Sequence, residues 1–203
     1  MANSEKYDKI LDALQVLLEN KKMQSISVSE IAQTAGMGKG SIYYYFPSKD
    51  AILDALIVRT YEKPVQTARN LARETDISPF TRMAMIFQAC RNSSSAFLKS
   101  EGNATEGARE KAFLHQRYLH YMISGLKPSL AEIIRQGTRT GDIHFDYPDA
   151  LAEIVLLVLT VKLDNTLVPS TREETEYTIR ALVALLEKGT ENPAGSLDFL
   201  MTR

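Results

Sequence analysis

The segment of residues 27–50 constrains the fold of this chain more than any other stretch, because it encodes two short helices around a tight turn. Ser27 and Glu30 have the spacing of a capping box, in which each side chain accepts a hydrogen bond from the backbone N–H of the other residue. A helix is therefore predicted directly after Ser27. Gly36 can adopt the left-handed conformation that ends a helix, and a second helix is predicted to begin near Lys39.

The second helix has the pattern of a DNA-reading helix. Ile42 and Phe46 are four residues apart and point back toward a core. In a helix-turn-helix, the N-terminal residues of the second helix contact base edges in the major groove. The polar and aromatic side chains in its first two turns are Lys39, Ser41, Tyr43 and Tyr44.

These residues are similar to the N-terminal signature of the TetR (tetracycline-repressor-type) family of bacterial transcription regulators. Gly38 stands where that family usually has a serine cap, and glycine is an acceptable N-cap. The residues that carry the resemblance are Ile31-Ala32, Ala35-Gly36, Lys39-Gly40-Ser41-Ile42-Tyr43, Tyr45-Phe46, Ser48-Lys49 and Ile52-Leu53.

The resemblance implies roles for individual side chains. Tyr43 would contact phosphate and Tyr44 would help to choose bases, while Tyr45 packs at the edge of the unit. A tyrosine can donate to phosphate or lie against a thymine methyl. The alternative is that these tyrosines form an apolar patch against the following helix. The candidate DNA-binding residues are Ser27, Lys39, Gly40, Ser41, Tyr43, Tyr44 and Lys49.

Charge limits the kind of nucleic-acid binding that this chain can perform. Its net charge is -1, which argues against a protein that coats nucleic acid without specificity, since that requires a broad basic surface. Residues 1–50 contain six lysines, six acidic residues and no arginine. We therefore expect modest, salt-sensitive binding to double-stranded DNA, supported by lysines at particular positions and doubled in a dimer.

The sequence predicts a cytoplasmic protein without a membrane segment. Cys90 is the only cysteine, so no intrachain disulfide forms. The first ten residues are charged and lack the apolar core of a secretory leader. The most apolar run, residues 151–163, is interrupted by charges and is shorter than the ~20 apolar residues that span a bilayer.

The rest of the chain has helical periodicity and no alternating strand pattern. We expect an all-α fold of about nine helices, with separate helices over residues 108–126 and 128–139. An N-terminal three-helix helix-turn-helix DNA-binding domain (residues 1–50) would precede a larger ligand-binding and dimerisation body (residues 51–203).

A helix predicted from Pro148 is apolar around most of its circumference, and such a helix must be buried on all sides. A second copy of the same surface is the simplest cover for its outer face, together with the final helix. The alternative is a central core helix in a monomer. A two-fold homodimer would read a pseudo-palindrome. The candidate interface residues are Leu151, Val155, Val158, Leu159, Leu182 and Leu186.

Two further helices carry methionine and aromatic side chains on one face each. Such walls can form an apolar pocket, in which a few phenolic hydroxyls orient a guest. A plain core stripe has the same spacing, and this alternative remains open. The pocket candidates are Met83, Phe87, Cys90, Phe97, Tyr118, Tyr121 and Met122. The effector expected there is small and uncharged or weakly polar, with aromatic or lipophilic character.

No catalytic or metal-binding pattern is found. His115 and His120 are five residues apart and lie on different helix faces, so with His144 they form no ligand set. No cofactor is expected. The sequence thus predicts a DNA-binding transcriptional regulator, and the resemblance favours a ligand-responsive repressor that acts as a homodimer on a pseudo-palindromic operator. The alternatives are a protein-interaction module that keeps the helix-turn-helix shape, and an all-helical enzyme with an apolar pocket.

Overall fold

The fold is all-helical. The computed structural model describes residues 2–101, 108–164 and 168–201, with side chains described for residues 4–90, 115–163 and 168–201. These residues form eight α-helices and two 3-10 helices, the latter at Met23–Ser25 and Asp198–Leu200, and no strand. The prediction of an all-α fold is confirmed. The α-helices are α1 (Ala2–Leu18), α2 (Val28–Thr34), α3 (Lys39–Tyr45), α4 (Lys49–Leu71), α5 (Pro79–Glu101), α6 (Ala108–Thr140), α7 (Pro148–Asp164) and α8 (Arg172–Gly189).

One helix, α6, occupies the stretch for which the sequence predicts two. Pro128 lies inside it, where its missing N–H removes one backbone hydrogen bond. Leu126 and Leu130, on either side of the proline, are both buried. Burial of apolar side chains on both sides of Pro128 keeps the helix continuous, because it outweighs the loss of a single hydrogen bond.

The chain divides into two compact units. The first comprises residues 1–62 and 93–118, and the second comprises residues 63–92 and 119–203. Helices α4, α5 and α6 each contribute residues to both units. The first unit therefore contains more than the N-terminal domain of residues 1–50 that the sequence predicts.

The first unit is built around the helix-turn-helix. One face of α1 packs into a core shared with α2, α3 and the start of α4, where the buried side chains are Ile10, Leu11, Leu14, Met23, Ile26, Ile31, Ala32, Ile42, Phe46, Ile52 and Leu53. Arg59 of α4 reaches back to α1, where its guanidinium donates to Asp12 at 2.8 Å and to Gln15 at 3.1 Å. The second helix of the motif, α3, is thereby packed against α1, α2 and the start of α4.

A second arginine ties α6 to α4 within the first unit. The guanidinium of Arg117 forms ion pairs with Asp50, at 3.5 Å, and with Asp54. The rings of Tyr61 on α4 and Tyr118 on α6 also meet, tilted by 49° with their centroids 4.6 Å apart. These contacts hold the first half of α4 between α1 and α6.

The second unit has its own apolar core and one buried arginine. Arg82 is 2% exposed, and its guanidinium donates to the side-chain oxygen of Gln136 at 2.5 Å and to the carbonyl of Leu71 at 3.4 Å. The Gln136 amide in turn donates to the carbonyl of Ala72 at 3.0 Å. Side chains of α5 and α6 thus donate to carbonyls at the end of α4, which have no partner within the helix itself.

Candidate nucleic-acid interface and apolar cavity

The outward face of α3 carries the side chains that the sequence predicts for DNA binding. Tyr44 is 77% exposed and Tyr43 is 51% exposed. Ile42, on the opposite side of the helix, is buried in the core. Lys39, Gly40 and Ser41 are exposed in the first turn of the same helix. The helix therefore buries one apolar edge and presents lysine, hydroxyl and phenol groups to solvent.

Local rules explain how α3 reaches this position. The predicted capping box is present, since the Ser27 hydroxyl accepts the N–H of Glu30 at 3.2 Å and the Glu30 carboxylate accepts the N–H of Ser27 at 2.7 Å. Gly36 has φ +66°, the left-handed conformation that lets the chain turn after α2. Gly38 precedes α3 with extended backbone and no side-chain cap.

The capping box also shapes the charge of the first unit. The Lys21 ammonium lies 2.7 Å from the Glu30 carboxylate. This hydrogen bond, together with those from Ser27, lowers the pKa of Glu30 to about 2. Glu30 is therefore ionised at neutral pH and its charge is paired locally. The Ser27 oxygen serves the cap, and its own hydroxyl proton remains available to donate.

Lys49 is positioned differently from the other DNA-binding candidates. Its half-buried ammonium donates to the carbonyls of Met23 at 2.6 Å and Ile26 at 2.8 Å, with that of Gln24 at 3.4 Å. The three donors of the ammonium are thus directed at the 3-10 helix before α2. The structure brings Lys39, Gly40, Ser41, Tyr43 and Tyr44 to one face and uses Lys49 to hold the motif together.

Tyr45 is the last residue of α3. It is half-buried, and its ring meets that of Tyr44 edge to face with centroids 5.1 Å apart.

The second unit contains an apolar cavity of about 50 Å³. Met83 and Phe87 of α5 line it, as the sequence predicts for a pocket. Its remaining walls come from the start of α5, from α6, from the loop between α6 and α7, from α7 and α8, and from the segment after α8. These further lining residues are Phe80, Leu130, Ile134, Ile143, Leu151, Ala152, Val155, Leu186, Thr190, Asn192, Leu197, Phe199 and Leu200.

The other pocket candidates do not line this cavity. Cys90, Tyr121 and Met122 belong to the second unit but are absent from the cavity wall, and Tyr118 belongs to the first unit. The side chain of Phe97 lies outside the described residues. Sequence reasoning missed the segment after α8, whose signal is an isolated apolar cluster, Leu197 to Leu200, following the turn residues Pro193 to Gly195.

The interface candidates on α7 and α8 are mostly in the protomer's own core. Leu151, Leu159, Leu182 and Leu186 are buried within the single chain, while Val155 and Val158 are half-buried. The outward apolar side chains lie between them: Ile154, Leu157 and Leu163 on α7, with Tyr177 and Leu185 on α8. An all-apolar helix gives no sequence signal of which side faces inward, and the interface itself stays a prediction.

The part of the chain that the structure describes was found to hold neither a metal site nor a membrane span. Among the described residues, no group of three or more histidine, cysteine or acidic side chains is placed to hold a metal ion. No helix in the described ranges is long and apolar enough to cross a membrane.

Known proteins resemble this chain most strongly in its first unit. Residues 10–56 match the family model described as bacterial regulatory proteins, tetR family. The HTH-type transcriptional regulator EthR of Mycolicibacterium smegmatis is 50% identical over 48 residues, which are 24% of this chain and 22% of that regulator. EthR of Mycobacterium tuberculosis is 36% identical over 63 residues, 31% of this chain and 29% of its own length. The chain thus spans less than a third of the length of the curated relatives it matches.

Solved structures share the fold over nearly the whole chain. SmeT, the repressor of the Stenotrophomonas maltophilia multidrug efflux pump SmeDEF, has a TM-score of 0.62 at 15% identity, covering 94% of this chain and 92% of SmeT. RolR in complex with resorcinol has a TM-score of 0.59 at 16% identity, covering 98% and 94%. The flavonoid-responsive regulator FrrA has a TM-score of 0.56 at 22% identity, covering 95% and 100%. At these identities the likeness concerns the fold alone.

Proposed function

We propose that this chain, whose residues 10–56 match the model of the tetR family of bacterial regulatory proteins, is a member of that family and a sequence-specific DNA-binding transcriptional regulator. The observation that carries this proposal is the outward face of α3, where Tyr43 and Tyr44 are exposed beside Lys39 on a rigid base. A helix presented in this way fits the major groove. Its site of action is the bacterial cytoplasm, where the DNA is.

Selection of bound duplexes from a random library, with the purified protein, tests DNA reading directly. We expect a two-fold-symmetric motif, which Tyr44→Ala loses or alters with a loss of affinity of about 5- to 100-fold, the range for one base-reading side chain. Tyr147→Ala is the matched control, because Tyr147 is 68% exposed in the second unit. Failure of the folded protein to enrich any duplex at low salt would refute the proposal and favour the interaction module.

Gly40 offers a second test with opposite effects on folding and binding. A Cβ built at Gly40 meets no protein atom within 4 Å, so alanine fits and favours the helix by roughly 0.5–1 kcal/mol. If α3 approaches DNA with its first turn, the same methyl group obstructs the contact. Gly40→Ala should therefore be at least as stable as the wild type and bind the selected duplex more weakly. Equal or tighter binding would contradict this docking mode.

We infer that the regulator acts as a homodimer through the outward apolar face of α7 and α8. The side chains of Ile154, Leu157 and Leu185 are each about half exposed or more in the single chain, and burial of exposed apolar side chains favours association. A second copy is the occupant that gives a two-fold reader of a pseudo-palindrome. Leu185→Glu should yield monomers in sedimentation analysis, whereas Met85→Glu, on α5, should leave the dimer intact. A dimer that survives Leu185→Glu and Leu157→Glu together would exclude this face.

We also propose that the regulator responds to a small uncharged molecule, and that binding relieves repression. The apolar cavity of the second unit supports this role, because its lining is almost entirely hydrocarbon. RolR was solved with resorcinol and FrrA is named as flavonoid-responsive, so proteins of this fold include responders to small aromatic molecules. A ligand can act only through a difference in its affinity for two arrangements of the protein.

A further inference from the structure

The segment after α8 closes one side of the apolar cavity. We call residues 193–201 the strap. Leu197, Phe199 and Leu200 of the strap all line the cavity. Leu200 is 3% exposed, and the Phe199 ring lies 6.1 Å, centroid to centroid, from the ring of Phe87 on α5. The strap therefore supplies apolar side chains that occupy space between the helices of the second unit.

Two backbone N–H groups of the strap donate to a single carboxylate of α8. Oε1 of Glu187 accepts the backbone N–H of Gly195 at 2.8 Å and that of Leu197 at 3.1 Å. Gly195 has φ +89°, and this turn directs both N–H groups toward Glu187. The first of these hydrogen bonds is exposed to solvent and the second is partly buried. Water can replace them when the strap leaves, so its release carries a small polar cost.

The cavity is too small for a ring as it stands. It measures about 50 Å³, whereas removal of one leucine side chain from an apolar core opens ~150 Å³, which accepts benzene. Withdrawal of Phe199 and Leu200 would add space of that order for each side chain. The helices could then hold a molecule of two or three rings, in place of the strap.

The chemistry of the wall selects an uncharged guest. Thr190 and Asn192 are its polar members, and they are bonded to their surroundings: the Thr190 hydroxyl donates to the carbonyl of Leu186 at 2.7 Å, and the Asn192 amide donates to the Thr190 oxygen at 2.7 Å. A carboxylate or ammonium buried here would lose its hydration without gaining a charged partner.

We propose that Phe199 and Leu200 are an internal occupant of this site, and that an uncharged apolar molecule binds by displacing them and releasing the strap from Glu187. That the displaced state is the regulatory one rests on the function proposed above. The apparent affinity for such a ligand is reduced by the fraction of molecules in which the strap is closed. Any change that loosens the strap must therefore tighten binding.

Titration with N-phenyl-1-naphthylamine, an uncharged apolar fluorophore, tests this with the full chain. Glu187 does not line the cavity, so Glu187→Gln changes the hold on the strap without touching the ligand. We expect the Glu187→Gln variant to bind the fluorophore about 5-fold more tightly than the wild type does. This factor corresponds to the weakening of one hydrogen bond to a charged group. Glu173→Gln, an exposed change in the first turn of the same helix, is the matched control and should have no effect.

The direction in which Glu187→Gln changes the affinity for the fluorophore distinguishes two cases: the ligand displaces Phe199 and Leu200, or it only contacts them. If Phe199 and Leu200 only contact the ligand, Glu187→Gln leaves affinity unchanged or lowers it, and the proposal is overturned. Hydrogen exchange gives a second readout, since the amides of Gly195 and Leu197 should exchange faster when the fluorophore is bound. Greater protection of these amides on binding would also overturn the proposal. Ala152→Leu, which narrows the cavity from α7, should abolish binding.

DNA binding is measured separately, with a duplex obtained by selection. If the fluorophore displaces the strap and DNA affinity falls, the site and the regulatory function are both supported. If the strap is displaced while DNA affinity is unaltered, the ligand site stands and its regulatory role is refuted.

Discussion

Replacement of Lys49 by methionine should destabilise the helix-turn-helix without removing a contact to DNA. Methionine keeps the length of the apolar stem, which packs along the motif, and deletes the ammonium. Two short hydrogen bonds are lost, those to the carbonyls of Met23 at 2.6 Å and Ile26 at 2.8 Å. A hydrogen bond to a charged group contributes roughly 1.5–3 kcal/mol. Because both bonds are only partly buried, water compensates for part of the loss, and we expect a destabilisation of about 2 kcal/mol.

Hydrogen exchange of the backbone amides of Ser25 and Ile26 is the assay. These amides donate to the carbonyls of Lys22 and Met23 within the 3-10 helix, so they report opening of the segment that Lys49 holds. A loss of about 2 kcal/mol corresponds to roughly 30-fold faster exchange. Lys39→Met is the matched control, because Lys39 is exposed at the start of α3 and should not alter exchange at either amide.

The salt dependence of DNA binding completes the comparison. Loss of one phosphate contact reduces the slope of log affinity against log salt by about 1. We expect that reduction for Lys39→Met and an unchanged slope for Lys49→Met. The reasoning would be refuted if Lys49→Met lowered the slope by about 1 while exchange at Ser25 and Ile26 stayed at the wild-type rate.

A glycine at a close approach and a carboxylate in the capping box give two further predictions. A Cβ on Gly125 would lie 2.9 Å from a methyl carbon of Val65, so Gly125→Ala should be about 1–3 kcal/mol less stable through overpacking and should unfold at a lower urea concentration. Gly189→Ala is the control and should not be destabilised, because a Cβ there has no atom within 4 Å. Equal urea midpoints for the two variants would disprove the close approach. The pKa of Glu30 is about 2 in the folded protein against an ordinary value of 4.5, so its contribution is complete above pH 4.5 and is lost as the pH falls toward 2. The unfolding midpoint of Glu30→Gln should vary less than that of the wild type between pH 5 and 2, and parallel curves would contradict the low pKa.

Interactions between residues close in the chain account for what the sequence predicts correctly. The capping box predicted at Ser27 with Glu30 opens α2, and the structure has a second one, at Thr171 with Glu174, at the start of α8. Each joins residues three apart, so its geometry follows from the helix itself. The left-handed Gly36 is equally local. Helix starts, the turn of the motif and the exposed face of α3 could therefore be predicted without knowledge of the tertiary structure.

The contacts of Lys49 could not be predicted from the sequence, because they join residues that are far apart in the chain. Its ammonium meets carbonyls more than 20 residues earlier in the chain, and a lysine beside a reading helix has the same appearance whether it binds phosphate or backbone. The continuity of α6 also depends on tertiary structure. The helix runs through Pro128 because the core buries Leu126 and Leu130 on either side of it.

The sequence by itself determined the class of fold, the helix-turn-helix and the side chains on its outer face, because each depends on hydrogen bonds and periodicity within a few residues. The tertiary structure alone decided which side of α7 is buried and which residues enclose the cavity. Leu151 and Leu157 are chemically equivalent in the sequence, yet one lines the cavity and the other faces solvent. Burial of apolar surface is non-directional, so only the shapes of the neighbouring helices, and the return of the strap against them, distinguish one apolar face from another.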